Sequence, residues 1–318
     1  MSNINSKKLN MYHIQKNTEP IEDKLNVIIV ISNPCLFKRR YILAQDFIER
    51  SKSNYLIKLF IVELCYNDQQ FILTDSKNSN HLQLKGEYIM WHKENMINIG
   101  VRKLLPENWK AMAWIDADIE FENKNWALDA LKILNGHKDI IQLWSCCKNM
   151  NADQIKYNVY KSFGHEFNAG LIYLKNSNWH PGYAWACTRE AYEQMGGLFE
   201  LGILGGGDTI MALSIINKSS YLQKIEMFIE FKKTINAFEN KVNTLRLGYV
   251  EGIIKHHYHG SFKNRQYTER WKILLNHNYD SLIYITKNDK GLLVPTDIFP
   301  KKLLDDILTY FKQRNEDE

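Results

Sequence analysis

The feature that most constrains this chain is a short apolar run, Val27 to Ile31, which stops at Ser32-Asn33-Pro34. A strand that is apolar at every position, rather than at alternate ones, is buried on both faces, as is typical of a parallel sheet covered by helices. The polar residues and proline that follow provide the turn that ends the strand. The run therefore predicts an α/β protein with a loop at the carboxyl end of a buried strand.

The segments that follow alternate between strand and helix. Residues 56–64 and 111–119 are strand-like, and residues 38–50 and 90–103 have helical patterns. This order favours a parallel sheet with right-handed crossovers. Residues 66–86 are polar, and we expect them to be irregular. The later predicted strands are 140–144, 170–174 and 250–258, and the later predicted helices are 188–195, 208–217, 264–276 and 300–311.

Composition excludes several classes of protein. The 318 residues are 45% hydrophobic, which is enough for a packed core, and the net charge is a mild +5. Nucleic-acid binders usually carry denser clusters of Lys and Arg, so we expect no nucleic-acid partner. The odd number of cysteines, five, and the absence of a CxxC pair argue against a zinc site and a disulfide framework. No apolar run approaches the roughly 20 residues of a membrane span, and the polar N-terminus is no secretory signal. We therefore predict a cytoplasmic protein without an integral membrane segment.

Two carboxylates, Asp116 and Asp118, lie near the end of the predicted strand 111–119. The period of two places both on one face of that strand. Adjacent carboxylates repel each other and favour a cation, and Mn²⁺ or Mg²⁺ with a bound diphosphate suits oxygen ligands. Ligands of open α/β sheets bind at the carboxyl ends of strands, where this pair lies. The alternative interpretation is a turn that happens to contain two aspartates.

Three glycines, Gly205 to Gly207, precede Asp208 at the start of a predicted helix. Glycine allows close backbone approach, which would leave room for a sugar ring at Gly206 and Gly207. Asp208 is a candidate general base that takes a proton from an acceptor hydroxyl. The alternative is a loop in which Asp208 only caps the helix. The triple glycine is not a dinucleotide-binding fingerprint, because G-x-G-x-x-G is absent.

Histidines and arginines cluster late in the chain. His256, His257 and His259 are candidate ligands for an Mn²⁺-like ion, and on a strand His257 and His259 would share a face. Arg265 and Arg270 are candidate diphosphate clamps, with a solvated basic helix as the alternative.

A fourth motif, His180 to Ala186, combines glycine with aromatic residues. Gly182 beside Tyr183 and Trp185 could form a shallow apolar floor for a sugar ring. In the alternative, Trp185 is a core aromatic residue.

Together these motifs resemble the GT-A glycosyltransferases, especially inverting family 2 and its galactosyltransferase-like relatives. The resemblance covers roughly three quarters of the chain, from Val27 to Arg270. The matching pieces, in chain order, are Val27–Pro34, Val62–Leu64, Trp91–Glu94 with Asn98, Trp114–Asp118, Gln142, His180–Gly182 with Trp185, Gly196–Phe199, Gly205–Asp208 and His256–Gly260.

The resemblance implies an α/β GT-A fold: a central, mostly parallel twisted sheet flanked by helices, with two abutting subdomains in one domain. The expected organisation is a polar N-terminal arm (1–24), a nucleotide-sugar-binding half (25–120), an acceptor and catalytic half (121–280) and a C-terminal helical tail (281–318).

The resemblance also implies roles for individual residues. Asp118 is expected to bind the metal, Asp116 the metal or the ribose, and His259 to be the third ligand, with His256 or His257 as alternatives. The expected donor-binding residues are Ser32, Pro34, Glu63, Lys93, Asn98, Asp116 and Arg265, and the expected acceptor or sugar-binding residues are Gly182, Trp185, Gly206 and Gly207. Two features depart from the family pattern: Asp208 is followed by Thr209 rather than by further acidic residues, and residues 66–88 have no counterpart.

The expected activity is metal-dependent transfer of a hexose or N-acetylhexosamine from a nucleotide-diphosphate sugar, a UDP-sugar first, with inversion. The acceptor is a hydroxyl of a glycan, a glycoprotein or another molecule. Two alternatives stay open: a sugar nucleotidyltransferase, which would release pyrophosphate, and an inactive carbohydrate- or nucleotide-binding protein on the same scaffold.

Overall fold

The structure is a computed structural model that describes residues 11–172, 179–224 and 229–318. Its strands are β1 (Leu25–Ser32), β2 (Ile57–Tyr66), β3 (His81–Gly86), β4 (Ala111–Ile115), β5 (Ile119–Phe121), β6 (Ile140–Gln142), β7 (Cys146–Met150), β8 (Lys156–Ser162), β9 (Trp179–His180), β10 (Ala184–Thr188), β11 (Leu247–Tyr249), β12 (Ile253–His256), β13 (Ile285–Lys287) and β14 (Leu293–Pro295). Its helices are α1 (Met11–Asn17), α2 (Lys38–Ser51), α3 (Lys93–Leu104), α4 (Trp126–Leu134), α5 (Phe163–Ala169), α6 (Arg189–Met195), α7 (Gly207–Ile215), α8 (Ile229–Val242), α9 (Phe262–Arg265), α10 (Arg270–Asn276), α11 (Ser281–Tyr284) and α12 (Lys301–Gln313), with a 3₁₀ turn at Ser219–Lys224.

The main sheet has seven strands among the described residues, in the order β11-β6-β10-β4-β1-β2-β3. Strands β1 to β4 are parallel to one another, β11 is parallel to β6, and β10 runs antiparallel between β4 and β6. The predicted mostly parallel sheet flanked by helices is therefore confirmed.

Both faces of this sheet are buried, which explains why β1 lacks polar alternation. Ile28 belongs to a core on the side of α3, whereas Val27 and Ile29 belong to the core on the opposite side. Helix α3 packs very closely on the sheet: a Cβ at Gly100 would lie 2.9 Å from Val62 Cγ2. The close packing holds the start of α3 beside the carboxyl ends of β1 and β4.

A second sheet, β5-β12-β7-β8-β9, stands beside the first. Its strand β12 pairs antiparallel with β5, and the register places His256 opposite Ile119. The backbone N–H of His257 also donates to the carbonyl of Asp118, at 2.8 Å. This pairing brings a late segment of the chain against the turn between β4 and β5.

Several predicted boundaries were wrong. The predicted strand 111–119 ends at Ile115, so Asp116 and Asp118 lie in a turn rather than on one strand face. The predicted strand 250–258 is interrupted around Gly252 and ends at His256. In both places the chain leaves the first sheet and enters the second. The alternation of side chains along a strand does not predict where such a turn occurs.

Other segments also differ from expectation. The predicted helix 264–276 is two short helices, and residues 66–86 contain β3 at their end. Residues 170–172 of the predicted strand 170–174 form no strand, and the rest of it lies outside the described residues. The expected polar arm is helical over Met11–Asn17, and this helix buries Met11 and Ile14. None of the helices within the described ranges is both long and apolar enough for a membrane crossing.

Candidate active site

A cavity of about 580 Å³ opens at the carboxyl ends of β1 and β4. Its lining comes from distant parts of the chain, including Ser32, Asp118, Asp208, Arg270 and Arg314. The position agrees with the general rule that ligands of α/β sheets bind beyond the carboxyl ends of the strands.

Asp118, His256 and His259 form a compact group of possible metal ligands in the cavity wall. His259 Nε2 lies 2.8 Å from Asp118 Oδ2 and 3.2 Å from His256 Nε2, and His256 Nε2 lies 3.9 Å from Asp118 Oδ2. Metal bonds of about 2.1 Å place neighbouring ligand atoms about 3 Å apart, so these spacings fit a shared divalent ion. Asp118 Oδ1 is buried and has no hydrogen-bond partner, which leaves acceptor capacity for a cation.

The chemical states of these side chains suit metal binding, which requires neutral imidazole and ionised carboxylate. Burial lowers the pKa of His256 well below its usual value, so the ring is neutral at pH 7. Its Nδ1 lies 2.5 Å from Asn149 Oδ1 and can only donate there, which leaves Nε2 as a free ligand atom. Burial opposes ionisation of Asp118, but His259, whose Nε2 faces the carboxylate at 2.8 Å, outweighs burial and holds the pKa of Asp118 well below the usual range.

Asp116 lies in the same cavity but has a different partner. Lys93 Nζ lies 2.7 Å from Asp116 Oδ1 and 3.2 Å from Asp208 Oδ2, so one lysine bridges both carboxylates. Burial would lower the pKa of Lys93, but the two aspartates raise it well above its usual value. Burial, with Asp118 and Asp208, raises the pKa of Asp116 to about 6 despite the lysine. Asp116 does not belong to the compact ligand group, and its predicted role as a metal ligand stays a prediction.

Asp208 is placed by the backbone of the triple glycine. The N-cap of α7 is Gly206, with a φ of 90°, and Asp208 is the second residue of the helix, so it is not the helix cap. A Cβ at Gly206 would lie 2.5 Å from the Trp271 ring, and one at Gly207 would lie 2.5 Å from the carboxylate of Glu94. The glycines therefore allow the protein's own side chains to approach closely. Gly206 lines the cavity, whereas Gly207 is buried against Glu94 and does not, so the sugar contact expected of Gly207 stays a prediction that the structure does not favour.

Two arginines in the cavity wall lack a carboxylate partner among the described residues. Arg265 and Arg270 are 4% and 7% exposed, and within the described part of the chain neither has a carboxylate within ion-pair distance. Arg265 donates to Tyr267 Oη at 3.0 Å, and Arg270 donates to Tyr310 Oη at 3.3 Å. A buried guanidinium without a counter-ion is costly, so this pair is suited to an anionic ligand such as a phosphate.

Some predicted site residues lie elsewhere. Glu63 is buried and accepts hydrogen bonds from the N–H groups of residues 72–74, so it anchors the loop after β2. Asn98 is buried and bonds both the N–H and the carbonyl of Leu198. Pro34 does not line the cavity. The structure does not favour the predicted donor contacts of these three residues, because neighbouring backbone already occupies the first two and the third lies outside the cavity; the contacts stay predictions.

Trp185 and His257 also lie away from the cavity. Trp185 is fully buried within the main sheet, stacks near Trp114 and donates to the carbonyl of Pro181 at 2.7 Å. It therefore has no surface to offer a sugar. His257 lies outside the cavity, with its Nδ1 2.9 Å from Gln154 Oε1. Because β12 ends at His256, the histidine that joins His259 is His256 and not His257.

The remaining predicted residues line the cavity: Ser32, Lys93, Asp116, Gly182, Gly206, Asp208 and Arg265. Arg40, Arg314 and Glu316, which were not among the predicted site residues, are charged members of the lining. The last two belong to the segment that was predicted only as part of the C-terminal helical tail (281–318).

Fold and site together define an α/β protein with an acidic and histidine-containing centre beside an arginine-lined cavity. No protein-family model matches the chain, and no curated protein matches it. Among solved structures, a mutant of Drosophila β1,4-galactosyltransferase 7 with manganese, UDP-Gal and xylobiose is similar at 10% identity and a TM-score of 0.39, covering 86% of this chain and 94% of that one.

Two further solved structures are similar at the same level. S. aureus TarS, residues 1–349, has 14% identity and a TM-score of 0.43, covering 92% of this chain and 71% of that one. The mannosyltransferase PcManGT from Pyrobaculum calidifontis, in complex with GDP-Man and Mn²⁺, has 13% identity and a TM-score of 0.40, covering 84% and 67%. These similarities are distant, so the function is argued from the site itself.

Proposed function

We propose that the chain is a metal-dependent glycosyltransferase that uses a nucleotide-diphosphate sugar, with a UDP-sugar as the first donor to test. The observation that carries the proposal is the group of Asp118, His256 and His259 in the wall of a cavity that also holds Asp208 and two unpaired arginines. A divalent ion, a diphosphate and a base for a hydroxyl are what sugar transfer from such a donor requires.

Two features of the cavity, its buried arginines and its group of possible metal ligands, suit the diphosphate of a donor. Arg265 and Arg270 present buried guanidinium groups on the same cavity as the three ligand side chains. Mn²⁺ or Mg²⁺, held by Asp118, His256 and His259, would supply Lewis-acid stabilisation for the charge on the leaving diphosphate. The arginines add charge-assisted hydrogen bonds to its oxygens, with Ser32 at the edge of the same cavity.

Asp208 is the proposed base. Its carboxylate takes the proton of the acceptor hydroxyl as the acceptor oxygen bonds to the anomeric carbon and the bond from that carbon to the diphosphate oxygen breaks. A single displacement of this kind inverts the anomeric centre. Lys93 Nζ, 3.2 Å from Asp208 Oδ2, orients the carboxylate. Gly182 lies close enough that a Cβ there would be 3.4 Å from Asp208 Oδ2, so a bulkier residue would narrow the approach to the base.

The test compares Asp118→Ala with Glu120→Ala. Glu120 follows the same turn but pairs with Lys255 and does not line the cavity, which makes it a matched control. We expect Mn²⁺-dependent UDP binding, measured by calorimetry, in the parent and in Glu120→Ala but not in Asp118→Ala. Unchanged binding in Asp118→Ala would overturn the proposed metal site.

Activity is tested by incubating the parent with Mn²⁺ and a panel of nucleotide sugars. Slow release of free sugar and nucleoside diphosphate supports a glycosyltransferase, because water then replaces the missing acceptor. Pyrophosphate release on addition of a sugar phosphate and a nucleoside triphosphate would instead indicate a nucleotidyltransferase. Binding without any turnover would indicate a nucleotide- or carbohydrate-binding protein. The acceptor hydroxyl and the cytoplasmic location stay predictions.

A further inference from the structure

The last residues of the chain fold back against the candidate active site. The carboxylate of Asp317 accepts hydrogen bonds from the backbone N–H groups of Lys38 and Arg39, at 3.0 and 2.8 Å, at the start of α2. A Cβ at Gly260 would lie 3.0 Å from the carbonyl oxygens of Arg314 and Asn315. The C-terminal segment, residues 314–318, is thus held both to α2 and to the residue that follows His259.

Glu316 is the residue of this segment that reaches the cavity. It is 1% exposed and lies between two arginines, with Arg40 Nε 2.8 Å from its Oε2 and Arg314 Nε 2.7 Å from its Oε1. Burial opposes its ionisation, but Arg40 and Arg314 hold the pKa of Glu316 well below the usual range. A charged carboxylate is therefore fixed in the wall of the site.

The other neighbour of this carboxylate is an imidazole ring. Glu316 Oε2 lies 3.6 Å from Nδ1 of His259, whose Nε2 faces Asp118. This separation is longer than a hydrogen bond, so the carboxylate acts on the ring electrostatically. Once a cation has replaced the proton that Asp118 attracts to Nε2, the negative charge of Glu316 favours the tautomer of His259 that carries its proton on Nδ1. The Nδ1 atom of His256 has its own hydrogen-bond partner, Asn149, so a polar group lies beside the Nδ1 atom of each histidine.

We propose that Glu316 is a positioning residue for His259 and that the C-terminal segment is therefore part of the metal-binding centre. The inference rests on the proposed metal group of Asp118, His256 and His259. Partners of this kind set the tautomer and orientation of ligating histidines, and their loss typically weakens metal affinity by about 10–100-fold.

A purely structural role for Glu316, as a counter-ion for two arginines, predicts a different outcome. Glu316→Gln removes the charge and keeps the shape, and it destabilises the segment under either explanation. The matched control is Asp317→Asn, which removes one charge from the same segment and weakens its attachment to α2. Asp317 does not line the cavity.

The experiment titrates full-length, metal-free parent, Glu316→Gln and Asp317→Asn with Mn²⁺ by calorimetry, with thermal unfolding recorded alongside. We expect both variants to unfold at lower temperature, and only Glu316→Gln to bind Mn²⁺ about 10–100-fold more weakly. Equal Mn²⁺ affinities in all three proteins, or an equal loss in both variants, would overturn the inference. A parent that does not bind Mn²⁺ would overturn the proposed metal site instead.

Two further measurements cover a Glu316→Gln variant that does not fold. Glu316→Asp keeps the charge for the arginines but withdraws it by one methylene from His259, so we expect a smaller loss of Mn²⁺ affinity in a folded protein. Nitrogen NMR of the imidazole rings in the parent loaded with diamagnetic Mg²⁺ reports the tautomer directly. A His259 ring protonated on Nε2 would contradict the proposed role.

Discussion

Glu94 gives the structure a pH dependence that can be calculated. It is 5% exposed at the start of α3, and its carboxylate packs against Gly207. Burial, reinforced by the charge of Asp208, raises the pKa of Glu94 from 4.5 to about 8. The folded protein therefore keeps a proton on Glu94 at pH values where the unfolded chain has lost it.

The sign of the effect follows from that difference. Because the pKa of Glu94 is higher in the folded protein than in the unfolded chain, protonated Glu94 stabilises the folded protein. This contribution is fully present below pH 4.5 and is lost as the pH rises through about 8. Each pH unit within this window lowers the free energy of unfolding by about 1.4 kcal/mol. From pH 5.5 to pH 7 the loss due to Glu94 is about 2 kcal/mol.

Glu94→Gln removes this contribution, because glutamine has the shape of the protonated acid and does not titrate. Urea unfolding of parent and variant at pH 5.5 and pH 7 measures the difference. Between pH 5.5 and pH 7, we expect the free energy of unfolding of the variant to rise by about 2 kcal/mol relative to that of the parent. The buried histidines His92, His180 and His256, whose pKa values are lowered by burial, make stability rise with pH, but they do so in both proteins and cancel. A difference that stays constant between the two pH values would refute the reasoning.

Three further predictions follow from the site. Asp208→Asn keeps the shape and loses the base, so transfer should fall by roughly 10²-fold or more while donor affinity stays within a few-fold, and a near-parental rate would exclude Asp208 as the base. Arg270→Met removes a buried, unpaired charge, so UDP affinity should fall about 10-fold without loss of thermal stability, and unchanged UDP affinity would remove Arg270 from the donor site. Gly206→Ala places a Cβ 2.5 Å from Trp271 at a φ of +90°, whereas Gly136→Ala at +80° meets nothing within 4 Å. In urea unfolding, Gly206→Ala should destabilise the protein by about 1–3 kcal/mol more than Gly136→Ala. Equal losses of stability would show that the Trp271 ring can move aside without cost.

The fold and much of the chemistry could be predicted because both depend on local pattern. The apolar run in β1 requires burial on two faces, and this requirement alone implies helices on both sides of a parallel sheet. A polar residue at or just beyond the end of such a strand lies near the carboxyl edge of the sheet, which is where Ser32 and Asp118 were expected and where both line the cavity. The kinds of side chain at this edge of the sheet could therefore be predicted from the sequence.

The sequence could not show which of the candidate residues face the cavity and which are buried in the core. Trp185, Glu63 and Asn98 have side chains suited to ligand contacts, yet all three are buried and occupied by the protein itself. A residue type shows which contacts are possible, whereas burial depends on segments that pack from elsewhere in the chain. The glycines before Asp208 show the same limit, because the space they leave is filled by Trp271 and Glu94.

What the sequence determined by itself was a buried parallel sheet with carboxylates at its carboxyl edge, together with a glycine turn and histidines as further candidate residues. The tertiary structure decided that His256, not His257, joins Asp118, because the register of β12 on β5 sets which side chain turns inward. It also decided that Lys93 bridges Asp116 and Asp208, and that the C-terminal segment returns to His259. The physical reason is that a local pattern encodes which face of an element is buried, whereas contacts between residues on different elements depend on the path of the whole chain.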